Sequence, residues 1–245
     1  MKTIDVFLSP SEVDESAVEG RVAVVIDVIR ATTTMVEALA NGARAIIPTA
    51  STEEAVKLSS SLGRKDTLLC GERKGLKVQG FDLGNSPAEF TATVVAGKQL
   101  VMSTTNGTRA FLAVEDSSRV LAASFLNLSA VVEAVGNEDG LLIACAGKED
   151  RFSLDDALCA GHLIRRLVDL ESADFMLNDA ARMAADLASL HEVDADFLAS
   201  TAAGKALSEV GLGRDLQVCA SLDRYRLVPE MRDRRIGLAI SQERS

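Results

Sequence analysis

Five short strings hold most of the side chains in this sequence that could do chemistry. Asp27-Val-Ile-Arg30-Ala-Thr32-Thr33-Thr34 joins a carboxylate, a guanidinium and three hydroxyls, and Gly71-Glu72-Arg73-Lys74 repeats the acid–base pairing. Gly80-Phe81-Asp82-Leu83-Gly84-Asn85-Ser86, Ser103-Thr104-Thr105-Asn106-Gly107-Thr108-Arg109 and Cys145-Ala146-Gly147-Lys148-Glu149-Asp150 add amides, hydroxyls and glycines, and the pair Asp155-Asp156 follows. Phosphoryl transfer asks for this mixture, because its transition state needs charge neutralisation and positioning more than covalent machinery. Backbone N–H groups with Thr or Ser hydroxyls beside them can cradle phosphate oxygens at Thr32 to Thr34 and Thr105 to Thr108. Arg30, Arg73 and Arg109 can clamp an acid group bidentately. Magnesium takes oxygen ligands, usually one or two carboxylates with substrate oxygens and water, and Asp27, Glu72, Asp82, Asp155 and Asp156 are the candidates.

Each feature also has a plainer explanation. A strand-end Asp or a Thr run is often a helix cap, Glu72 with Arg73 can be a solvated ion pair, and Asp155-Asp156 suits a helix amino terminus. The joint placement of carboxylates and arginines favours a site over a set of caps. Cys145 with Arg151 matches the C-x5-R spacing of thiolate phosphatases on count, but ranks below the metal route. Asp27-Val-Ile-Arg30 lacks the D-x-D pattern of haloacid-dehalogenase phosphatases. The two histidines, His162 and His191, fall in helical patterns, where packing or surface roles are expected.

The strings follow buried runs, which suggests what positions them. Val22 to Ile26, Ala45 to Ile47, Thr67 to Cys70, Leu100 to Met102, Val120 to Ala123 and Leu141 to Cys145 read as strands. Helices with capping-box openings are expected from Ser51 to Gly63 and from Ser86 to Gly97. Strand alternating with helix implies crossovers, hence an α/β fold with α/β/α layers and a mostly parallel, mixed sheet whose strand ends carry the site. From about residue 153 the pattern turns to long helices, Asp155 to Leu170 and Leu177 to Leu190, closing on a late edge strand from Ile236 to Ile240. This part reads as a helical C-terminal cover within one domain spanning 1–245.

The 245 residues, 47% hydrophobic and 25% charged, suffice for a packed core. Lys+Arg 26 against Asp+Glu 36 gives a formal charge of −10, which opposes nucleic-acid binding but leaves room for one positive cleft. Four cysteines without C-x-x-C pairing, an early acidic amino terminus and the lack of a long apolar run point to reduced thiols, no membrane segment and a cytoplasmic location. Ala-rich helices would allow a homo-oligomer.

Taken in order, DVIRATTT at Asp27 to Thr34, GER at Gly71 to Arg73, GFDLGNSP at Gly80 to Pro87, STTNGT at Ser103 to Thr108 and CAG at Cys145 to Gly147 resemble the 2-phosphosulfolactate phosphatase family. Ser153-Leu-Asp-Asp156 and Cys159-Ala-Gly161 are similar to its following helix, so the likeness covers nearly the whole chain. The resemblance implies Mg²⁺-dependent hydrolysis of 2-phospho-3-sulfolactate to 3-sulfolactate and phosphate, a step of coenzyme M biosynthesis. On this reading Asp27, Arg30, Glu72 and Arg73 are catalytic, with Asp27 either a metal ligand or a carboxylate nucleophile. Substrate contacts fall to Thr32, Thr33, Thr34, Asn85, Ser86, Ser103, Thr104, Thr105, Asn106, Gly107, Thr108, Cys145 and Gly147. The alternatives are a phosphatase for another phosphorylated hydroxy acid and a non-catalytic small-anion-binding protein.

Overall fold

Runs of Val, Ile and Leu without polar alternation belong in strands covered on both faces, and Val22–Ile26 is buried at every residue. The computed structural model describes residues 2–63, 65–171 and 175–238. Its strands are β1 (Lys2–Phe7), β2 (Val22–Ile26), β3 (Ala45–Pro48), β4 (Thr67–Arg73), β5 (Leu76–Lys77), β6 (Gln99–Ser103), β7 (Arg119–Ala123), β8 (Gly140–Cys145), β9 (Phe175–Leu177), β10 (Pro229–Arg232) and β11 (Arg235–Leu238). The helices are α1 (Glu15–Val18), α2 (Ala31–Ala40), α3 (Thr52–Leu62), α4 (Ala92–Val95), α5 (Gly107–Ala113), α6 (Leu128–Val135), α7 (Leu154–Glu171), α8 (Asp179–Leu190), α9 (Ala195–Ser200), α10 (Ala202–Glu209) and α11 (Asp215–Cys219).

Among the described residues the strands form one mixed, mostly parallel sheet in the order β5-β4-β6-β3-β11-β10-β7-β2-β8-β1-β9. All six strand expectations hold, and the fold is α/β with a helical C-terminal part. The faces follow side-chain alternation. Val22, Val24 and Ile26 point into a core under α6, α7 and α8, while Ala23 and Val25 point the other way, onto α2 and α5. A smaller cluster of Ile47, Leu69 and Val101 packs with Ala55 of α3.

Three antiparallel pairings, β3 with β11, β11 with β10 and β10 with β7, separate the parallel block β4-β6-β3 from the block β7-β2-β8-β1-β9. The blocks therefore run in opposite senses, which in a flat sheet would put their carboxyl ends on opposite edges. Twist of roughly 20–25° per step accumulates to roughly 100–125° between β6 and β2. The carboxyl ends are thereby turned toward each other, and α5, which follows β6, packs on β2 as well as on β3.

Some expected elements differ. The helix from Ser86 to Gly97 is instead a 3-10 turn, Pro87–Glu89, followed by the short α4. Glu89 folds back onto the amides of Gly84 and Ser86, and the Ser86 hydroxyl donates to Asp215, so the opening serves the loop rather than a long helix. The helix expected from Leu177 starts at Asp179, because Asn178 caps it by accepting from the Ala181 N–H at 2.9 Å while Phe175–Leu177 joins the sheet as β9. The late strand is not an edge: β11 lies inside the sheet between β3 and β10, drawn there by the hairpin with β10. Ala239 and Ile240, the end of that expected strand, lie outside the described residues.

Helices α7 and α8 meet where Gly161 faces the backbone carbonyl of Ala184 and the methyl of Ala188 with no room for a Cβ. Gly161→Leu must push α8 away from the sheet. We expect a loss of about 1–3 kcal/mol, the usual range for overpacking, measured by urea unfolding.

Candidate active site

Asp27 ends β2, and the loop after it is tied back to its own residue. The Thr32 hydroxyl accepts from the Asp27 N–H at 3.0 Å and donates to the Asp27 carbonyl at 2.8 Å. One Asp27 carboxylate oxygen accepts from the Ala31 N–H at 3.0 Å, where α2 begins. The other faces Gly107, where a Cβ would stand 2.6 Å from it and 2.5 Å from the Ala31 methyl. Only glycine lets the start of α5 approach this closely. The Thr33 hydroxyl donates to Val28 O and the Thr34 hydroxyl to Asn85 O. All three threonines are fully buried, so the structure places their hydroxyls beneath the site as ties rather than in its cavity.

Asp155 and Asp156, at the start of α7, come up beside Asp27 and are almost fully buried. Asp156 accepts from the N–H groups of Val28, at 2.8 Å, and Gly147, at 3.0 Å, and so joins the β2 and β8 loops. Asp155 accepts from the Ser153 hydroxyl at 2.6 Å. Burial raises the Asp27 carboxyl to about 7, with the Asp155 and Glu72 charges adding to the rise and the Ala31 N–H and Arg30 opposing it. Burial likewise raises Asp155, and raises Asp156 well above the carboxylate range, with Asp155 and Asp27 reinforcing the second shift. Three carboxyl groups thus share one buried spot.

From the other block, Glu72 at the end of β4 accepts from the Thr105 N–H at 2.7 Å and the Gly75 N–H at 2.8 Å. It holds two loops in place and lines the same cavity. Arg73 turns away from that cavity: it donates to Glu72 O, Ser103 O and Ser103 Oγ, bracing β4 against β6. Thr104 and Thr108 bond to each other across the first turn of α5. Arg109 is half-exposed and paired with Asp150. Arg30 lines the cavity but is already engaged, donating to Asp215 at 2.7 Å and Gly75 O at 2.7 Å, and the second Asp215 oxygen takes the Ser86 hydroxyl at 2.7 Å.

The cavity these elements surround measures about 430 Å³, within the range for a small-molecule site. Of the sequence candidates, Asp27, Arg30, Glu72, Asn85, Thr105, Asn106, Gly147, Asp155 and Asp156 line it. The structure does not bring Asp82 there: it is exposed, and its carboxylate accepts from the Leu69 N–H. The Cys145 thiol is buried in the core, and burial, followed by the Asp156 charge, pushes it well above the usual thiol range, the reverse of an activated nucleophile. His162 packs edge-on to Phe125, and its ring contacts His191 O. Within the site, Asn85 Oδ1 and Thr105 Oγ1 are buried without a hydrogen-bond partner among the described residues.

Sequence reasoning left out three contributors. Asp215 of α11 is the buried partner of Arg30. Lys74 and Lys148 line the cavity. A wall of Ala203, Ala206, Leu207, Glu209 and Val210 comes from α10 and the residue after it. Lys74 and Lys148 stood inside the quoted strings, where a preference for arginine clamps passed over them. Asp215 and the α10 wall carry no local motif.

Among the described residues no three His, Cys, Asp or Glu side chains are grouped closely enough to hold a metal ion by themselves. The donors present, Asp27 and Asp155 with Glu72 beside them, instead match the way Mg²⁺ is usually held, by one or two carboxylates completed by water and ligand oxygens. Among the described residues, no Lys or Arg forms an ion pair with any of these three. Among the described residues, no helix is long and apolar enough to cross a membrane.

Residues 7–234 match the family model described as 2-phosphosulpholactate phosphatase. A protein of Thermotoga petrophila named "probable 2-phosphosulfolactate phosphatase" is 41% identical over 229 residues, covering 93% of this chain and 95% of its own length. Proteins of the same name from Clostridium acetobutylicum and Caldanaerobacter subterraneus are 40% identical over 228 residues and 38% identical over 213 residues. The first alignment covers 93% of this chain and 96% of the relative, the second 86% and 87%.

Two outcomes follow from this geometry. Because the folded Asp27 carboxyl sits above its ordinary 3.8, at about 7, folding favours its protonated form. Its contribution to stability is fullest below the ordinary value, falls as pH rises toward 7, and is lost above. In urea unfolding without metal, the stability of Asp27→Asn relative to wild type should therefore grow from acid to neutral pH and then level off. Asp215→Ala leaves the Arg30 charge buried and unpaired, and should cost about 3–5 kcal/mol in the same measurement.

Proposed function

The chain belongs to the 2-phosphosulfolactate phosphatase family and is a hydrolase, and from that premise we propose that it hydrolyses 2-phospho-3-sulfolactate to 3-sulfolactate and phosphate with Mg²⁺, as in coenzyme M biosynthesis. The observation that carries the metal reading is the buried carboxyl group of Asp27 beside Asp155 and Glu72, none of them ion-paired with Lys or Arg among the described residues. A phosphate dianion cannot approach such a floor unless positive charge intervenes.

Asp27 and Asp155 would hold the ion, which would supply positive charge to offset that of a phosphate ester beside the carboxylate floor. The chain's own groups do the rest. The Ala31 N–H fixes one oxygen of Asp27, and the missing side chain of Gly107 leaves room for the other. Glu72 sets the Thr105 and Gly75 loops at a fixed separation, and Thr105 and Asn85 present unpartnered polar atoms to the ligand. The α10 wall keeps water from one side of the cavity. Arg30 acts at one remove: with its charge offset by Asp215, it secures the β4–β5 turn through Gly75 O.

The test is phosphate release from 2-phospho-3-sulfolactate, phospholactate and phosphoglycerate, with Mg²⁺ and with EDTA. We expect rapid, EDTA-sensitive release that favours the sulfonated ester, and loss of turnover in a folded Asp27→Asn variant. Release only from the unsulfonated esters would move the enzyme to another phosphorylated hydroxy acid. Binding without release would make it an anion-binding protein, and near-normal turnover by Asp27→Asn would remove Asp27 from the chemistry. An aspartyl phosphate trapped by hydroxylamine in a rapid quench would assign Asp27 the nucleophile's role.

A further inference from the structure

The cavity holds more acid than a phosphorylated dicarboxylate-like ligand could tolerate, and the arginines near it are committed elsewhere. Arg30 is taken by Asp215 and Gly75 O, Arg73 by Ser103 and Glu72 O, and Arg109 by Asp150. Lys74 and Lys148 remain. Neither ammonium group is used in a hydrogen bond or ion pair among the described residues, and both line the cavity.

The two stand on different walls. Lys148 is on the β8–α7 loop, directly after Gly147, whose N–H is held by Asp156. Its backbone N–H and carbonyl both bond to Arg151 across a tight turn, which fixes where its side chain starts. It lines the same cavity as Asp155 and Asp156. Lys74 is on the β4–β5 turn of the other block, held in the left-handed region at φ 52°. It lies between Glu72, whose carboxylate holds Gly75 N–H, and Gly75, which faces Val210 at the α10 wall. That wall carries Ala203, Ala206, Leu207 and Val210 together with one carboxylate, Glu209, and the cation lining the cavity beside it is Lys74, next to the Gly75 that faces Val210.

We propose that Lys148 and Lys74 divide the ligand between them, Lys148 facing the phosphoryl group over the carboxylate floor and Lys74 binding the second acid group at the α10 side. This inference rests on the proposed substrate class and assigns the specificity for a doubly acidic ester to Lys74. Two ammonium groups on separate blocks make a two-point gauge: an ester whose phosphate is its only acid group reaches one of them, and an ester with a further acid group reaches both.

The experiment titrates wild type, Lys74→Gln and Lys148→Gln with two probes by calorimetry, inorganic phosphate and 3-sulfolactate, and compares kcat/KM for 2-phospho-3-sulfolactate and for glycerol 2-phosphate, whose tail is uncharged. One charge-assisted contact corresponds to roughly 10–100-fold in affinity. Lys74→Gln should weaken 3-sulfolactate by that factor and phosphate far less, and its loss of kcat/KM should be at least tenfold greater on the doubly acidic ester. Lys148→Gln should weaken phosphate and lower kcat on both esters alike. Both side chains are solvent-accessible, so unchanged thermal melting should accompany these effects. Equal losses on both probes in either variant, no loss in either, or a wild type that binds neither anion would overturn the division. Failure of wild type to turn over any ester while the binding pattern holds would overturn the phosphatase reaction and leave the anion assignment standing.

Discussion

Carboxyl groups buried against one another are unfavourable, and the centre of this protein is arranged around making that burial tolerable. Asp27 directly follows β2, Asp155 and Asp156 open α7 beside it, and the amides of Ala31, Val28 and Gly147 turn toward Asp27 and Asp156. Each N–H that meets a carboxylate favours its charged form and opposes the desolvation that drives the pKa upward. The opposition is incomplete, since Asp27 is still raised to about 7 and the other two are also raised. The residual strain is electrostatic, and it can be relieved by protons or by a cation. The same contacts shape the loops: Asp156 fastens β2 to β8, and the Thr32 and Thr33 hydroxyls lock the turn into α2.

The second constraint is the meeting of two sheet blocks that run in opposite senses. Without twist their carboxyl ends would be far apart. With it, Glu72 reaches the loop after β6 and Gly107 lies against Asp27. Glu72 does for the β4-β6-β3 block what Asp156 does for the other, spending both oxygens on backbone N–H groups so that two loops keep one separation. The helical C-terminal part is fastened to this junction by the Arg30–Asp215 pair, with side-chain exposures of 3% and 7%. A buried pair of this kind adds little net stability over an apolar replacement, but breaking it is costly. Its value here is positional, since it anchors α11 to the loop that carries Arg30 while α10 lines one side of the cavity.

The six central strands, the caps of α3 and the long α7 were legible in the sequence because each depends on neighbouring residues: an uninterrupted apolar run, Ser51 three residues before Glu54, a periodic stripe. So was the gathering of polar strings at strand ends, because a twisted parallel sheet offers its ligands little else. The strings carried the family likeness, and Asp27, Glu72, Asn85, Thr105 and Asp155 do line one cavity.

What each polar side chain faces was decided by the tertiary structure alone. Sequence shows that Arg30, Arg73 and Arg109 are near the strand ends, but not that Asp215, Ser103 and Asp150 engage them, and so it cannot show that the lysines are the cations left over. It marks Thr32 to Thr34 as hydroxyls beside a helix start, and only the fold shows them turned inward on Val28, Asp27 and Asn85. The position of β11 inside the sheet and the α10 wall likewise depend on pairings between residues far apart in the chain. Local sequence fixes conformation through short-range sterics and capping. The partner of a charge is chosen by which distant segments the packed core brings within hydrogen-bonding distance.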